Sequence, residues 1–244
     1  FYNHMRINPK NPKNPDRDRF VLSKGHAAPC YYAVLAELGF ISRDEFTNFR
    51  QLHSILQGHP DCKKVPGVDA STGSLGQGCS IAVGMALGAK LNGKGVRVYT
   101  LCGDGELQEG LVWEAAEAAA PAAPVVTAGN SAVSGKPMLT WNAVSGATSY
   151  RLDNLTVLVD NNGLQIDGRN QDVMDVRDIA AKFAAFGFET IDVADGNDIV
   201  QVLAALDQPG QTGKPRMILC HTVKGKGVSF MENQAGWHGK APNA

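Results

Sequence analysis

Two short polar motifs each follow an apolar run, and their residue types suit a metal-bound diphosphate. Gly-Asp-Gly at 103–105 comes after the apolar run 96–101, and Asp-Asn-Asn at 160–162 comes after the run 155–159. A strand that ends in Gly-Asp-Gly before a helix presents backbone N–H groups to phosphate, while the Asp offers a hard oxygen ligand to a cation. The Asn pair adds a neutral oxygen ligand. The two motifs therefore predict a site for a diphosphate and a divalent cation.

Four further motifs contain residues that could act in the same site. They are Arg-Asp-Arg-Phe-Val-Leu-Ser-Lys-Gly-His at 17–26, Gly-His-Pro at 58–60, Thr-Gly-Ser-Leu-Gly-Gln-Gly at 72–78 and Gly-Trp-His-Gly at 236–239. Each alone has an ordinary explanation, such as a turn or a loop histidine. The glycines at 73–78 also lack the Lys-Ser/Thr ending of a P-loop and the spacing of a dinucleotide-binding loop. Their joint order is what indicates a function.

The scaffold that must bring these motifs together is indicated by alternating strand and helix patterns. Apolar runs predict strands at 20–22, 96–101, 155–159, 189–193 and 217–221, and helical periodicity predicts helices at 28–38, 42–52, 79–91, 111–120, 173–186 and 199–206. This alternation predicts an α/β fold with a mostly parallel sheet and helices on both faces. Ligands of such sheets bind at the carboxyl ends of the strands, where both diphosphate motifs and the Lys-Gly-Lys-Gly loop at 224–227 fall.

Residues 121–149 interrupt this alternation. The stretch has no acidic residue and a single charge, Lys136, and it alternates like two short strands with Gly and Asn turns between them. It resembles the opening strands of a fibronectin type III-like domain, with Trp141 as the residue such modules bury. We therefore expect 1–120 and 150–244 to form one domain, and 121–149 to be a small β-like insertion that leaves the preceding helix at its proline.

Composition limits the remaining classes of function. The chain has 244 residues, of which 43% are hydrophobic, enough for one substantial core. A net charge of -1 gives no case for nucleic acid or an acidic membrane surface, and no apolar run reaches the length of a membrane span. Five cysteines without a Cys-x-x-Cys pair indicate reduced thiols, so we expect a cytoplasmic protein. The first five residues resemble the end of a helix, and we expect the true N-terminus to be missing.

Taken in order, the six motifs resemble the diphosphate-binding half of the transketolase family, whose cofactor is thiamine diphosphate. The resemblance covers the chain except for 121–149. In the family about 25 to 30 residues separate the two halves of the cofactor signature. Here 55 residues lie between Gly105 and Asn161, and removing the insertion restores the family spacing.

The resemblance implies a role for each residue of the site. Asp104, Asn162 and the Leu164 carbonyl would hold Mg²⁺ or Ca²⁺. The cofactor-binding residues would be His26, Gly73, Leu75, Gly103, Gly105, Glu106, Asn162 and His238. The catalytic residues would be His26, His59, His238 and Glu109. Among these, His59 would hydrogen-bond the donor ketose, and Glu109 would lie at the contact between subunits.

The implied activity is transfer of a two-carbon ketol unit from a ketose phosphate to an aldose phosphate by a homo- or hetero-oligomer. In the family, the carboxylate that activates the aminopyrimidine belongs to another domain, and a Ser-Gly-His-Pro segment would precede Phe1. We therefore expect this chain to be inactive alone and to need a pyrimidine-binding C-terminal subunit, unless it is a fragment of a full-length enzyme.

Two alternatives to this activity stay open at the level of sequence. The first is another thiamine diphosphate enzyme, such as a deoxyxylulose phosphate synthase or a 2-oxo acid decarboxylase. His26, His59 and the Leu-Gln-Glu-Gly run at 107–110 favour transketolase over these enzymes. The second is an inactive chimeric fragment.

Overall fold

A five-stranded parallel sheet forms the centre of the molecule. The computed structural model describes residues 1–119, 152–211 and 213–240 in full, and residues 125–130 and 137–142 as backbone. The strands are β1 (Arg19–Leu22), β2 (Val98–Gly103), β3 (Val125–Asn130), β4 (Pro137–Asn142), β5 (Leu155–Asn161), β6 (Leu164–Gln165), β7 (Gly168–Arg169), β8 (Glu189–Val193) and β9 (Arg216–His221). The central sheet has the order β1-β2-β5-β9-β8, and every neighbouring pair in it is parallel. The predicted α/β fold class is confirmed.

Helices cover both faces of this sheet. They are α1 (Ala28–Glu37), α2 (Gln77–Leu91), α3 (Gly110–Ala119), α4 (Asn170–Val173), α5 (Ile179–Ala185) and α6 (Ile199–Asp207). Alternate residues of β9 show the two faces. Met217 and Leu219 belong to the core formed with α2, α3 and α5, whereas Ile218 and Cys220 pack on the side of α6. Strands buried on both faces explain why the sequence shows continuous apolar runs. Within the described ranges, no helix is long and apolar enough to cross a membrane.

The start of α2 lies against the turn that follows β1. The small residues Gly78, Ala82 and Ala86 of this helix are buried. A Cβ atom added at Gly78 would lie 2.5 Å from the Cα of Ser23, so only glycine permits this approach. The contact brings the loop before α2 next to the end of β1.

Two predicted helices are shorter or interrupted in the structure. The helix predicted at 42–52 is a 3₁₀ helix, Arg43–Asn48, and Ser42 caps it by accepting a hydrogen bond from the backbone N–H of Asp44 at 3.2 Å. Arg50 then takes a φ of 60°, a left-handed conformation that a helix does not continue through.

The helix predicted at 173–186 is present only as α5, because α4 ends at Val173, where the prediction begins. Met174 is extended, with φ of -156° and ψ of 103°, and Arg177 has a φ of 58°. Asp178 then starts α5 as an N-cap, because its carboxylate accepts from the N–H of Ala181 at 2.8 Å.

Within the predicted insertion, β3 and β4 pair as an antiparallel hairpin that is separate from the central sheet. The sequence pattern predicted two short strands in this stretch, and β3 and β4 are two such strands. The side chain of Trp141 and the remaining residues of 121–149 lie outside the residues that the structure describes.

Candidate functional site

A cavity of about 680 Å³ opens at the carboxyl ends of the central strands. Its lining includes nearly all of the residues predicted to act in the site. They are His26, Gly73, Leu75, Gly103, Asp104, Gly105, Glu106, Glu109, Asn162, Leu164 and His238. A single pocket therefore contains motifs that lie far apart in the sequence, as expected for ligand sites at this edge of a parallel sheet.

The two diphosphate motifs converge because β2 and β5 are neighbours. Gly103 at the end of β2 lies opposite Asp160 of β5. The backbone N–H of Asp104 donates to the carbonyl of Asp160 at 3.1 Å, and its carboxylate accepts a short hydrogen bond from the N–H of Gly163. Asp104 and Asn162 thus lie at the same edge of the sheet, as predicted, although 121–149 separate them in the chain.

The residues around Asp104 fit a divalent cation. Asp104 is only 4% exposed, and among the described residues no Lys, Arg or His forms an ion pair with it. Burial raises the pKa of its carboxyl group, against hydrogen bonds from the N–H groups of Gly163 and Gly105 that lower it. A cation would compensate this buried charge. Carboxylate, amide and carbonyl oxygens, which Asp104, Asn162 and Leu164 offer, are the ligands that Mg²⁺ and Ca²⁺ prefer.

Positively charged and ionisable nitrogens also line the cavity. They belong to Lys24, His26, Lys224 and His238. Burial first, and then the neighbouring His238 and Lys24, lower the pKa of His26 to about 4. The lowered pKa means that the neutral imidazole is favoured at this position.

Lys224 fixes the orientation of His238. Its ammonium nitrogen lies 3.1 Å from Nδ1 of His238. Because an ammonium group can only donate, Nδ1 accepts and the neutral ring carries its proton on Nε2. Burial, followed by the charge of Lys224, lowers the pKa of His238 and favours this neutral form. The ring also lies beside His26, with 5.3 Å between the ring centroids.

Three residues of the cavity had no role assigned from the sequence, and they form one network. The Asp160 carboxylate pairs with the ammonium group of Lys24 and accepts a hydrogen bond from the hydroxyl of Thr222. Burial alone would raise the pKa of Asp160, but Lys24 and the hydrogen bonds hold it below its usual value. The sequence signal that could have identified these residues is their position at the ends of β1, β5 and β9.

Three of the predicted residues differ in where they lie relative to the cavity. Glu109 lies on the cavity wall and is exposed. His59 is not part of the lining; it packs on Gly73, where an added Cβ would lie 3.0 Å from the His59 ring. Glu106 is a lining residue but is buried, and its carboxylate accepts hydrogen bonds from three protein donors.

Comparison with known proteins gives one consistent family. The model of the transketolase thiamine diphosphate-binding domain matches residues 1–123 and 132–244. One of the subunits of apulose-4-phosphate transketolase from Phocaeicola vulgatus is 37% identical over 246 residues, which cover 100% of this chain and 76% of that relative. Human transketolase is 40% identical over 243 residues, which cover 98% of this chain and 34% of that protein.

Solved structures agree with these matches. A crystal structure of a transketolase variant from Pichia stipitis superposes with a TM-score of 0.79 and 32% identity, covering 95% of this chain and 32% of that one. Transketolase from Leishmania mexicana gives a TM-score of 0.74 and 30% identity, over 96% and 33% of the two chains. The chain thus spans about three quarters of the Phocaeicola vulgatus relative but only a third of the transketolases. From its motifs, its fold and these matches, the chain belongs to the thiamine diphosphate-binding domain family of transketolases.

Proposed function

We propose that this chain is the diphosphate-binding subunit of a transketolase that works with a separate pyrimidine-binding subunit. One observation carries the proposal: a single cavity combines oxygen ligands for a divalent cation with nitrogens that suit an anion. The relatives from Phocaeicola vulgatus and Actinobacillus succinogenes are each named as one subunit of an apulose-4-phosphate transketolase, which supports the division into two subunits.

Thiamine diphosphate, when bound, supplies the nucleophilic carbon that cleaves a ketose and carries its two-carbon fragment to an acceptor. The protein's part is to bind and orient. Asp104, Asn162 and Leu164 would hold Mg²⁺ or Ca²⁺ through oxygen atoms, and the backbone of Gly105 would contact the diphosphate. His238, with its proton on Nε2, offers a hydrogen-bond donor to oxygen atoms that gain negative charge.

The substrates proposed are sugar phosphates, with a ketose phosphate as donor and an aldose phosphate as acceptor. Among the relatives, one is named for a sugar phosphate and another for 6-deoxy-6-sulfo-D-fructose. Lys224 on the cavity wall gives positive charge that suits anionic ligands, whereas the charge of Lys24 is balanced by Asp160.

The predicted insertion is not required in this proposal. Residues 1–120 and 150–244 would form the catalytic scaffold, with 121–149 a fibronectin type III-like fragment between α3 and β5. The separate β3–β4 hairpin supports this division.

The test is reconstitution. The purified chain should bind thiamine diphosphate in a Mg²⁺-dependent manner and show no ketol transfer alone. Transfer between a ketose phosphate and an aldose phosphate should appear when a pyrimidine-binding transketolase subunit is added, with both sugar products identified by chromatography. Fluorescence can report binding because Trp237 lies on the cavity wall, and Trp237→Phe is the matched control for that signal. Full turnover by the chain alone, or deoxyxylulose phosphate or decarboxylation products, would contradict the proposal.

A further inference from the structure

Glu106 is a buried carboxylate whose bonds all run to the protein. It is 2% exposed and lies in the short 3₁₀ helix Gly105–Gln108, directly after the Gly-Asp-Gly motif. Its Oε1 accepts from the hydroxyl of Ser23 at 2.5 Å and from the N–H of Gly76 at 2.8 Å. Its Oε2 accepts from the N–H of Gly103 at 3.1 Å. Within the described ranges no basic side chain forms an ion pair with it, and these three hydrogen bonds hold it in place.

The three donors belong to three separate segments that form the cavity wall. Ser23 begins the turn that carries Lys24 and His26, and Gly76 ends the loop that carries Gly73 and Leu75. Gly103 precedes the aspartate proposed as the metal ligand. One carboxylate therefore connects segments from the end of β1, the start of α2 and the end of β2.

These segments are already in close backbone contact. A Cβ added at Gly25 would lie 2.8 Å from the backbone nitrogen of Gly73, and the hydroxyl of Thr72 donates to the carbonyl of Leu22 at 2.6 Å. The Thr72 hydrogen bond joins two of the three segments, whereas the carboxylate of Glu106 joins all three. The hydrogen bonds to Glu106 have directional requirements, so they fix the register of one segment against another.

We propose that Glu106 is a positioning residue that holds these three segments in the arrangement that binds the diphosphate and its metal ion. The inference rests on the proposed function of the cavity. It replaces the expectation that Glu106 itself binds the cofactor, since a carboxylate aimed at a diphosphate would repel it, whereas here both oxygens are engaged by protein donors.

Glu106→Gln tests this role in the full chain. Glutamine keeps the size and one acceptor oxygen, but its NH₂ group can only donate and would face a backbone N–H. In the ligand-free chain, we expect faster amide exchange at Gly76 and Gly103 with the central sheet still protected. The dissociation constant for thiamine diphosphate with Mg²⁺ should rise about 10- to 100-fold, the range seen when a supporting partner of a metal site is lost.

The half-saturating cofactor concentration and kcat, measured separately, distinguish a positioning role from a catalytic role and from a general loss of stability. With the partner subunit present, the half-saturating cofactor concentration should rise while kcat at saturating cofactor stays within about twofold. Glu117→Gln, the same change at an exposed position of α3, should alter neither quantity. If Glu106→Gln does not fold, Ser23→Ala removes one donor only and should produce a smaller shift in the same direction.

Two results would overturn the proposal: unchanged cofactor affinity with unchanged exchange at the two glycines, or a loss of kcat at an unchanged cofactor constant. A parent chain that fails to bind the cofactor with Mg²⁺ would instead contradict the proposed function. In that case amide exchange in the ligand-free chain still decides whether Glu106 connects the three segments.

Discussion

Lys24 and Asp160 form an ion pair between the end of β1 and the end of β5, across 136 positions of sequence. The two strands are not neighbours, because β2 lies between them. Both side chains are largely buried, with 13% and 27% exposed. The pair therefore joins the ends of two non-adjacent strands within the lining of the cavity.

Breaking this pair should cost stability. Asp160→Asn leaves the Lys24 ammonium group without its charged partner, and we expect the free energy of unfolding to fall by about 1.5–3 kcal/mol, as for a hydrogen bond to a charged group. Urea denaturation measures the change. Asp192→Asn is the matched control, because Asp192 is 61% exposed and pairs with His221 at the surface. Equal losses of unfolding free energy in the two variants would show that the buried pair contributes no more to stability than the surface pair.

The carboxylate of Asp104 should lower the stability of the ligand-free fold and should be needed for metal binding. Burial raises its pKa, which means that the charged carboxylate is disfavoured in the ligand-free fold at neutral pH. Asp104→Asn should therefore leave the ligand-free melting temperature equal or higher. It should also weaken Mg²⁺-dependent cofactor binding by at least about 100-fold, the upper end of the range for loss of an outer-shell partner. Calorimetric titration with and without Mg²⁺ measures this, and unchanged binding would refute the metal assignment.

Acid sensitivity should depend on Asp18, which is fully buried. Burial opposes its charge, but hydrogen bonds from the side chain and N–H of Arg6 and from the N–H of Arg97 hold its pKa below the usual value. A lowered pKa contributes stability above the unfolded pKa of about 3.9, and this contribution is lost as pH falls through the folded value. Asp18→Asn should cost about 1.5–3 kcal/mol at pH 7 and progressively less below pH 4.

The control for this effect is Asp16→Asn, since Asp16 is 70% exposed where it pairs with Lys94. Denaturation curves between pH 3 and pH 7 should show a steeper acid dependence for the parent than for Asp18→Asn. Parallel curves would mean that Asp18 does not govern the acid response.

Removal of 121–149 should leave the fold and cofactor binding intact. Loop closure entropy grows slowly with length, by about 0.6 kcal/mol for each doubling, so a shorter connection should raise the free energy of unfolding slightly. Thermal melting and cofactor titration of the deletion variant measure both expectations. A variant that no longer folds would show that the segment is an integral part of the domain.

The sequence predicted the sheet and most of the site because their signals are local. Apolar runs predicted the central strands, motifs at strand ends predicted that Asp104 and Asn162 converge, and the Gly-Trp-His-Gly motif contains His238, which lines the same cavity. The two helix errors lie at Arg50, which has a positive φ, and between Met174, which is extended, and Arg177, which has a positive φ. The residue types at these positions do not predict those backbone angles.

The contacts that organise the cavity were not predictable in the same way. The pairing of Lys24 with Asp160 and the hydrogen bonds that Glu106 accepts depend on which strands become neighbours. A motif shows that a charged residue is near the site, but only the fold shows which atoms it meets.

The place where the β3–β4 hairpin joins the scaffold has a practical consequence. The described chain leaves α3 at Ala119 and resumes at Leu152, just before the amino end of β5. In a parallel sheet, that end lies at the opposite edge from the carboxyl ends where Asp104 and Asn162 meet. A fluorophore or an affinity module grafted into this connection would therefore be attached at the edge of the sheet opposite to the candidate site.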